Sequence, residues 1–134
     1  MSYTSDTATA FKPEGYQSLS AYLIVDDPQA ELDFIKAVFD VEPIFVHRTE
    51  SGGINHAEIR IDDTLLMIGG APGQGMATNL HLYVPDVDAT FAAALAAGAT
   101  VVQEPVQKGD TDRRGGVTSP AGTIWWVATQ MAPR

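Results

Sequence analysis

His56 and Glu58 stand two residues apart in the stretch Ile54 to Ile61, with Arg60 two further on. If that stretch is a strand, all three share one face. An imidazole beside a carboxylate can exchange a proton or share a metal ion, and His47 or His81 could complete a metal site. Alternating charges on a strand face are also the ordinary pattern of a solvated, salt-bridged surface, so both readings stand. His81 has the same two readings, general base or hydrogen-bonded structural residue. Tyr22 offers a phenol to a ligand. Trp126 offers a stacking surface and an indole donor, Met67 an adaptable thioether, and Ser20 and Asn79 short polar groups that either meet a ligand or cap a strand end. Trp126 and Met67 are equally readable as core. Lys108, Asp110, Asp112, Arg113 and Arg114 lie among glycines in a stretch from Lys108 to Gly116 that reads as a loop, either solvated or able to bring an arginine to an anion.

The elements that must position these groups follow from periodicity. Leu19 to Val25 alternates as a strand with Ala21, Leu23 and Val25 on one face and Ser20, Tyr22 and Ile24 on the other. Asp27-Pro28 starts a helix, with Glu31 in its first turn and Leu32, Phe34, Ile35, Val38 and Phe39 apolar, ending near Asp40. Strands are expected at Pro43 to Arg48, Ile54 to Ile61 and Thr64 to Ile68. Gly69 to Met76 reads as a linker, because no Lys-Ser or Lys-Thr follows to make its glycines a phosphate loop. Asn79 to Val84 then alternates again, Asp86 caps a helix ending at Gly98, and strands are expected at Thr100 to Gln103, near Val117 and at Thr123 to Thr129.

The second pattern repeats the first. Leu23 and Leu82, Val25 and Val84, Asp27 and Asp86, Ala30 and Ala89, and Thr64 and Thr123 are all 59 residues apart. So are Ser20 and Asn79, Tyr22 and His81, and Met67 and Trp126. The division is therefore an arm at residues 1–15, expected to be flexible, and one domain at residues 16–130: module one at 16–70, linker at 71–78 and module two at 79–130.

Composition narrows the partners. The chain has 134 residues, 45% hydrophobic and 19% charged, which suits a globular domain. Eight Lys and Arg against 17 Asp and Glu give a net charge of -9, which repels nucleic acid. There is no cysteine, so every metal ligand would have to be His, Asp or Glu. No basic-then-apolar leader opens the sequence and no apolar run reaches membrane-spanning length, so the expected setting is cytoplasmic, away from membranes.

Tandem β-α-β-β-β halves of this length resemble the vicinal-oxygen-chelate superfamily, which includes glyoxalase I, bleomycin-resistance proteins and extradiol dioxygenases. Tyr22 to Asp27, His56 to Arg60, Leu80 to Val84 and Gly116 to Trp125 are similar to its PhnB-like branch, except that Ser119, Ala121 and Thr123 stand where that branch usually has Asp, Phe and His. The resemblance implies an α+β fold in which two tandem β-α-β-β-β modules form a cupped mixed β-sheet with helices outside. It also implies a homodimer and a small-molecule ligand. In metal-dependent members the ligands occupy four symmetric places, which fall here on Ser20, Met67, Asn79 and Trp126. None is His, Asp or Glu, so the usual metal site and any cofactor are expected to be absent. The leading expectation is metal-independent binding of a partly aromatic or apolar molecule by Ser20, Tyr22, Met67, Asn79, His81 and Trp126. The alternative is a glyoxalase- or dioxygenase-like lyase, isomerase or oxidoreductase, using a non-standard divalent-metal site or acid–base chemistry at His81, His56 or Glu58. A scaffold without ligand is the third.

Overall fold

The computed structural model describes residues 9–134. Module one runs β1 (Tyr22–Val25), α1 (Pro28–Phe39), β2 (Phe45–Arg48), β3 (Ile54–Ile61) and β4 (Thr64–Gly70). Module two repeats it with β5 (Asn79–Tyr83), α2 (Val87–Ala96), β6 (Thr100–Gln107), β7 (Asp112–Thr118) and β8 (Ile124–Gln130). Each makes a four-stranded mixed sheet, in the orders β1-β4-β3-β2 and β5-β8-β7-β6, with the first strand parallel to the last and the other pairs antiparallel. The architecture is α+β and paired, as the repeat implies.

Both helices start on the same device. The Asp27 carboxylate accepts from the Ala30 amide and the Asp86 carboxylate from the Ala89 amide, each at 3.1 Å, which satisfies an amide that the helix itself leaves unpaired. The α1 helix ends where Asp40 turns left-handed, with φ of 56°. Its buried side, Leu32, Phe34 and Ile35, meets Leu23, Val25, Ala57, Ile59 and Ile68 of its own sheet. The same core continues into module two through Phe91, Ala94, Val117 and Trp125. The rings of Phe34 and Phe39 lie 6.2 and 5.4 Å from that of Trp125, and α1 touches α2. The modules are thus joined through their helix-covered sheet faces. The opposite, open face of each sheet is turned away from that junction, and in module one it is partly covered by the segment before β1 through Gly15 and Tyr16.

A buried carboxylate sits at this junction. Glu31 is fully buried and accepts from Ser119 Oγ at 2.7 Å and Trp125 Nε1 at 2.9 Å, both from module two. Burial pushes its pKa above the ordinary carboxylate value, against the opposing effect of those two donors.

Three expectations need correction. The first strand begins at Tyr22; Leu19, expected inside it, is 88% exposed. The strand β4 extends through Gly69 and Gly70, so these are ladder residues rather than linker. The Lys108 to Gly116 stretch is chiefly strand: β6 reaches Gln107, β7 starts at Asp112, and only residues 108–111 turn. The arginines there do not wave free, because Arg113 makes two bonds to Asp88, at 2.9 and 2.8 Å, and Arg114 is also engaged. The expected arm falls partly on residues 1–8, which lie outside the described residues. Within residues 9–15, the Gly15 carbonyl accepts from Arg60 Nη2 at 3.1 Å.

Candidate functional site

Strand pairing lines up the open face of each sheet. In module one, Phe45, Glu58, Met67 and Tyr22 form one row across β2, β3, β4 and β1, and His47, His56, Gly69 and Ile24 form the next. In module two, Gln103, Gly116, Trp126 and His81 form one row and Val106, Arg114, Ala128 and Tyr83 the next. Tyr22 and His81 therefore occupy equivalent slots, as do Met67 and Trp126, and His56 and Arg114.

On module one these side chains are joined. Tyr22 crosses β4 to place its hydroxyl 3.2 Å from His56 Nδ1, with the rings 5.6 Å apart. His56 Nε2 is 2.8 Å from Glu58 Oε2. Tyr16, from the segment before β1, donates to the other Glu58 oxygen. Burial would raise the Glu58 pKa, but the bonds from His56 and Tyr16 outweigh it and hold the carboxyl below its ordinary value. The crossing is possible because β4 carries glycine there: a Cβ on Gly69 would lie 2.6 Å from Tyr22 Cε1 and 2.8 Å from its hydroxyl. The Phe45 ring, 6.0 Å from His56, closes the far side. Beside this group, Met67 and Ser20 line a cleft of about 450 Å³ with Phe11, Tyr16 and Leu19. Ser20 Oγ also accepts from Gln17 Nε2 at 3.0 Å.

Module two is built alike with different chemistry. His81 Nε2 accepts from Arg114 Nε at 3.1 Å, so the lone pair a base would use is occupied. Burial, then the nearby Arg114 charge, lowers the His81 pKa despite Asp112. Arg114 is itself paired to Asp112 at 2.9 Å and Asp110 at 3.3 Å, and Asp112 accepts from the Tyr83 hydroxyl at 2.6 Å. Trp126 lies over Gly116, whose Cβ would come within 2.7 Å of its six-membered ring, and its indole donates to Asn79 Oδ1 at 2.9 Å.

The four symmetric places do not fit a divalent metal. Asn79 Oδ1 is used by Trp126, Trp126 offers only an N–H donor, and a hydroxyl and a thioether remain. Among the described residues no three His, Asp or Glu side chains are grouped to hold a metal, so His56 and Glu58 gather no third ligand from His47 or His81. Nor is any helix long and apolar enough to cross a membrane among those residues.

Sequence reading missed Tyr16, Phe45, and the pairing of Arg114 with His81. Phe45 was findable, because alternation along β2 puts it opposite Glu58. Tyr16 precedes any periodic element and carries no such signal.

Residues 17–127 match the model of the Glyoxalase/Bleomycin resistance protein/Dioxygenase superfamily. The uncharacterized proteins Mb0911c of Mycobacterium bovis and Rv0887c of Mycobacterium tuberculosis are each 37% identical over 121 residues, matching 81% of this chain and 80% and 71% of theirs. Among solved structures, TioX from Micromonospora sp. ML1 superposes with a TM-score of 0.71 at 23% identity, covering 85% of this chain and 98% of that one. A PhnB protein from Bacillus cereus, described as a putative 3-demethylubiquinone-9 3-methyltransferase, gives 0.69 at 16% identity, covering 84% and 99%. These likenesses carry the fold, and the family match covers both modules: the chain belongs to the glyoxalase/bleomycin resistance protein/dioxygenase superfamily.

Proposed function

We propose that this chain binds a small, partly aromatic or apolar molecule on its open sheet faces without a metal, through Trp126, Met67, Tyr22, His81, Asn79 and Ser20. The observation that carries the reading is Trp126, whose ring is seated over Gly116 and fixed by Asn79 while the residue stays only half-buried. A ring held this way loses little freedom when a planar ligand stacks on it. The donor set at the four symmetric places supports metal-independence, since it fits no common divalent ion.

Tryptophan emission tests this directly. Trp125 is 2% exposed and tied to Glu31, so quenching by a panel of planar compounds reports on Trp126. Trp126→Ala is expected to weaken binding about tenfold or more. Silence from the wild type against the whole panel would sink the binding reading.

A homodimer belongs to the same proposal. Phe45 and Tyr83, 49% and 50% exposed on the open faces, are the surface that a second copy would cover. Sedimentation is expected to give twice the chain mass, and a monomer at millimolar concentration would contradict it. A second reading, acid–base chemistry at His56, is favoured by one observation, the hydrogen-bonded chain from Glu58 to Tyr22.

A further inference from the structure

We infer that Glu58, His56 and Tyr22 form a proton relay that takes the proton of an acidic hydroxyl, a phenol or enol, on a ligand bound at the open face of module one. The inference rests on the binding reading above and adds to it the ligand's chemical class and the path of its proton. Glu58, a carboxylate held by Tyr16, accepts from His56 Nε2, which fixes the imidazole as the Nε2–H tautomer. Nδ1 is then the acceptor of the Tyr22 hydroxyl. With its proton turned inward, Tyr22 Oη presents lone pairs outward from a residue 48% exposed, so what it can receive is a donor.

The step balances. As the ligand O–H bond breaks, its proton goes to Tyr22 Oη while the proton of Tyr22 goes to His56 Nδ1. The ligand becomes an oxyanion, Tyr22 ends as it began, and His56 becomes an imidazolium whose Nε2–H faces the Glu58 carboxylate. The groups facing His56 are Tyr22 from β1, His47 from β2, Glu58 and Arg60 from β3, and Tyr16 from the preceding segment, while β4 offers Met67 and Gly69, which do not titrate. Glu58 is the anion in hydrogen-bond contact.

The repeat provides an internal contrast. In module two the slot of His56 holds Arg114, which donates to His81 and cannot accept a proton. The same scaffold thus carries a proton acceptor in one half and a fixed cation in the other. Tyr22 would be the catalytic residue, touching the ligand; His56 and Glu58 act through it.

The probe is 4-nitrophenol, whose phenolate absorbs visibly, with binding measured separately by calorimetry. Below the probe's solution midpoint, the bound form is expected to carry a roughly tenfold higher phenolate-to-phenol ratio than the free form. Tyr22→Phe and Glu58→Gln should each remove that excess per molecule bound, which loss of packing alone would not do. Binding with the ratio of free probe overturns the relay and leaves the binding reading standing. No heat with the probe or any panel compound overturns both. Nitrogen NMR of His56 in the ligand-free protein decides independently of any probe: an unprotonated Nδ1 whose resonance moves in Tyr22→Phe supports the relay, whereas a protonated or unresponsive Nδ1 at neutral pH overturns it.

Discussion

Glu31→Ala lowers the unfolding free energy by about 2–4 kcal/mol, because it strands two buried donors, the Trp125 indole and the Ser119 hydroxyl. The loss falls on the junction between modules, since Glu31 comes from α1 and both donors from module two. Glu31→Gln keeps an acceptor for the indole and removes the charge, so it should cost far less. Comparing the wild type with Glu31→Gln also isolates a pH effect. A carboxyl whose pKa is raised by burial binds its proton more tightly folded than unfolded. Its contribution to stability is therefore full below the ordinary carboxylate pKa and lost as pH rises through the folded value. The stability of wild type relative to Glu31→Gln should fall across that window and level off above it. Urea titrations at a series of pH values measure this. A difference that rises with pH, or an alanine variant as stable as the wild type, would show that Glu31 is no junction.

Glu31 also marks where a sequence stops being informative. Its position in the first turn of α1 reads as a charge favourable to the helix dipole. That a carboxylate there is fully buried depends on Ser119 and Trp125, some ninety positions away. No local pattern carries that information. Ser119, read only as a departure from the PhnB-like motif, is the hydroxyl that meets it. Module one was otherwise legible because β3 alternates from His56 onward, with Ala57, Ile59 and Ile61 buried and His56, Glu58 and Arg60 half-buried. The period breaks only at its start, where Ile54 is buried and Asn55 exposed beside the register shift between His47 and Arg48.

Module two was less legible at β6 and β7 for two physical reasons. Pairing there shifts register between Val101 and Gln103 and again between Gln103 and Val106, which breaks the two-residue period. The charges that make 108–116 look like a loop are instead neutralised within the fold, Arg113 by Asp88 and Arg114 by Asp110 and Asp112. Spacing placed Tyr22 with His81 and Met67 with Trp126 in equivalent slots, as the strand pairing does. It could not show that Tyr22 reaches His56, because that contact is made across β4 and depends on which residue β4 carries beneath the ring.

That dependence gives the sharpest contrast between neighbours. Gly69→Ala and Gly70→Ala add the same methyl group one residue apart, with opposite expected consequences. A Cβ on Gly70 would lie 2.2 Å from the Ile54 carbonyl oxygen and 2.8 Å from Pro28 Cγ. Neither a paired strand backbone nor a proline at a helix start can step aside, so Gly70→Ala should cost about 3 kcal/mol or more. At Gly69 the nearest atoms belong to the Tyr22 ring, a half-exposed side chain free to swing to another rotamer. Gly69→Ala should cost no more than about 1 kcal/mol while moving the Tyr22 hydroxyl away from His56. Denaturant midpoints give the first comparison and the His56 Nδ1 resonance the second. If Gly69→Ala is the less stable of the two, or leaves the His56 resonance unchanged, then glycine under Tyr22 is not what permits the contact. If the order holds, β4 separates two requirements by a single residue: Gly70 lets the module close on α1, and Gly69 lets its open face bring a phenol to an imidazole.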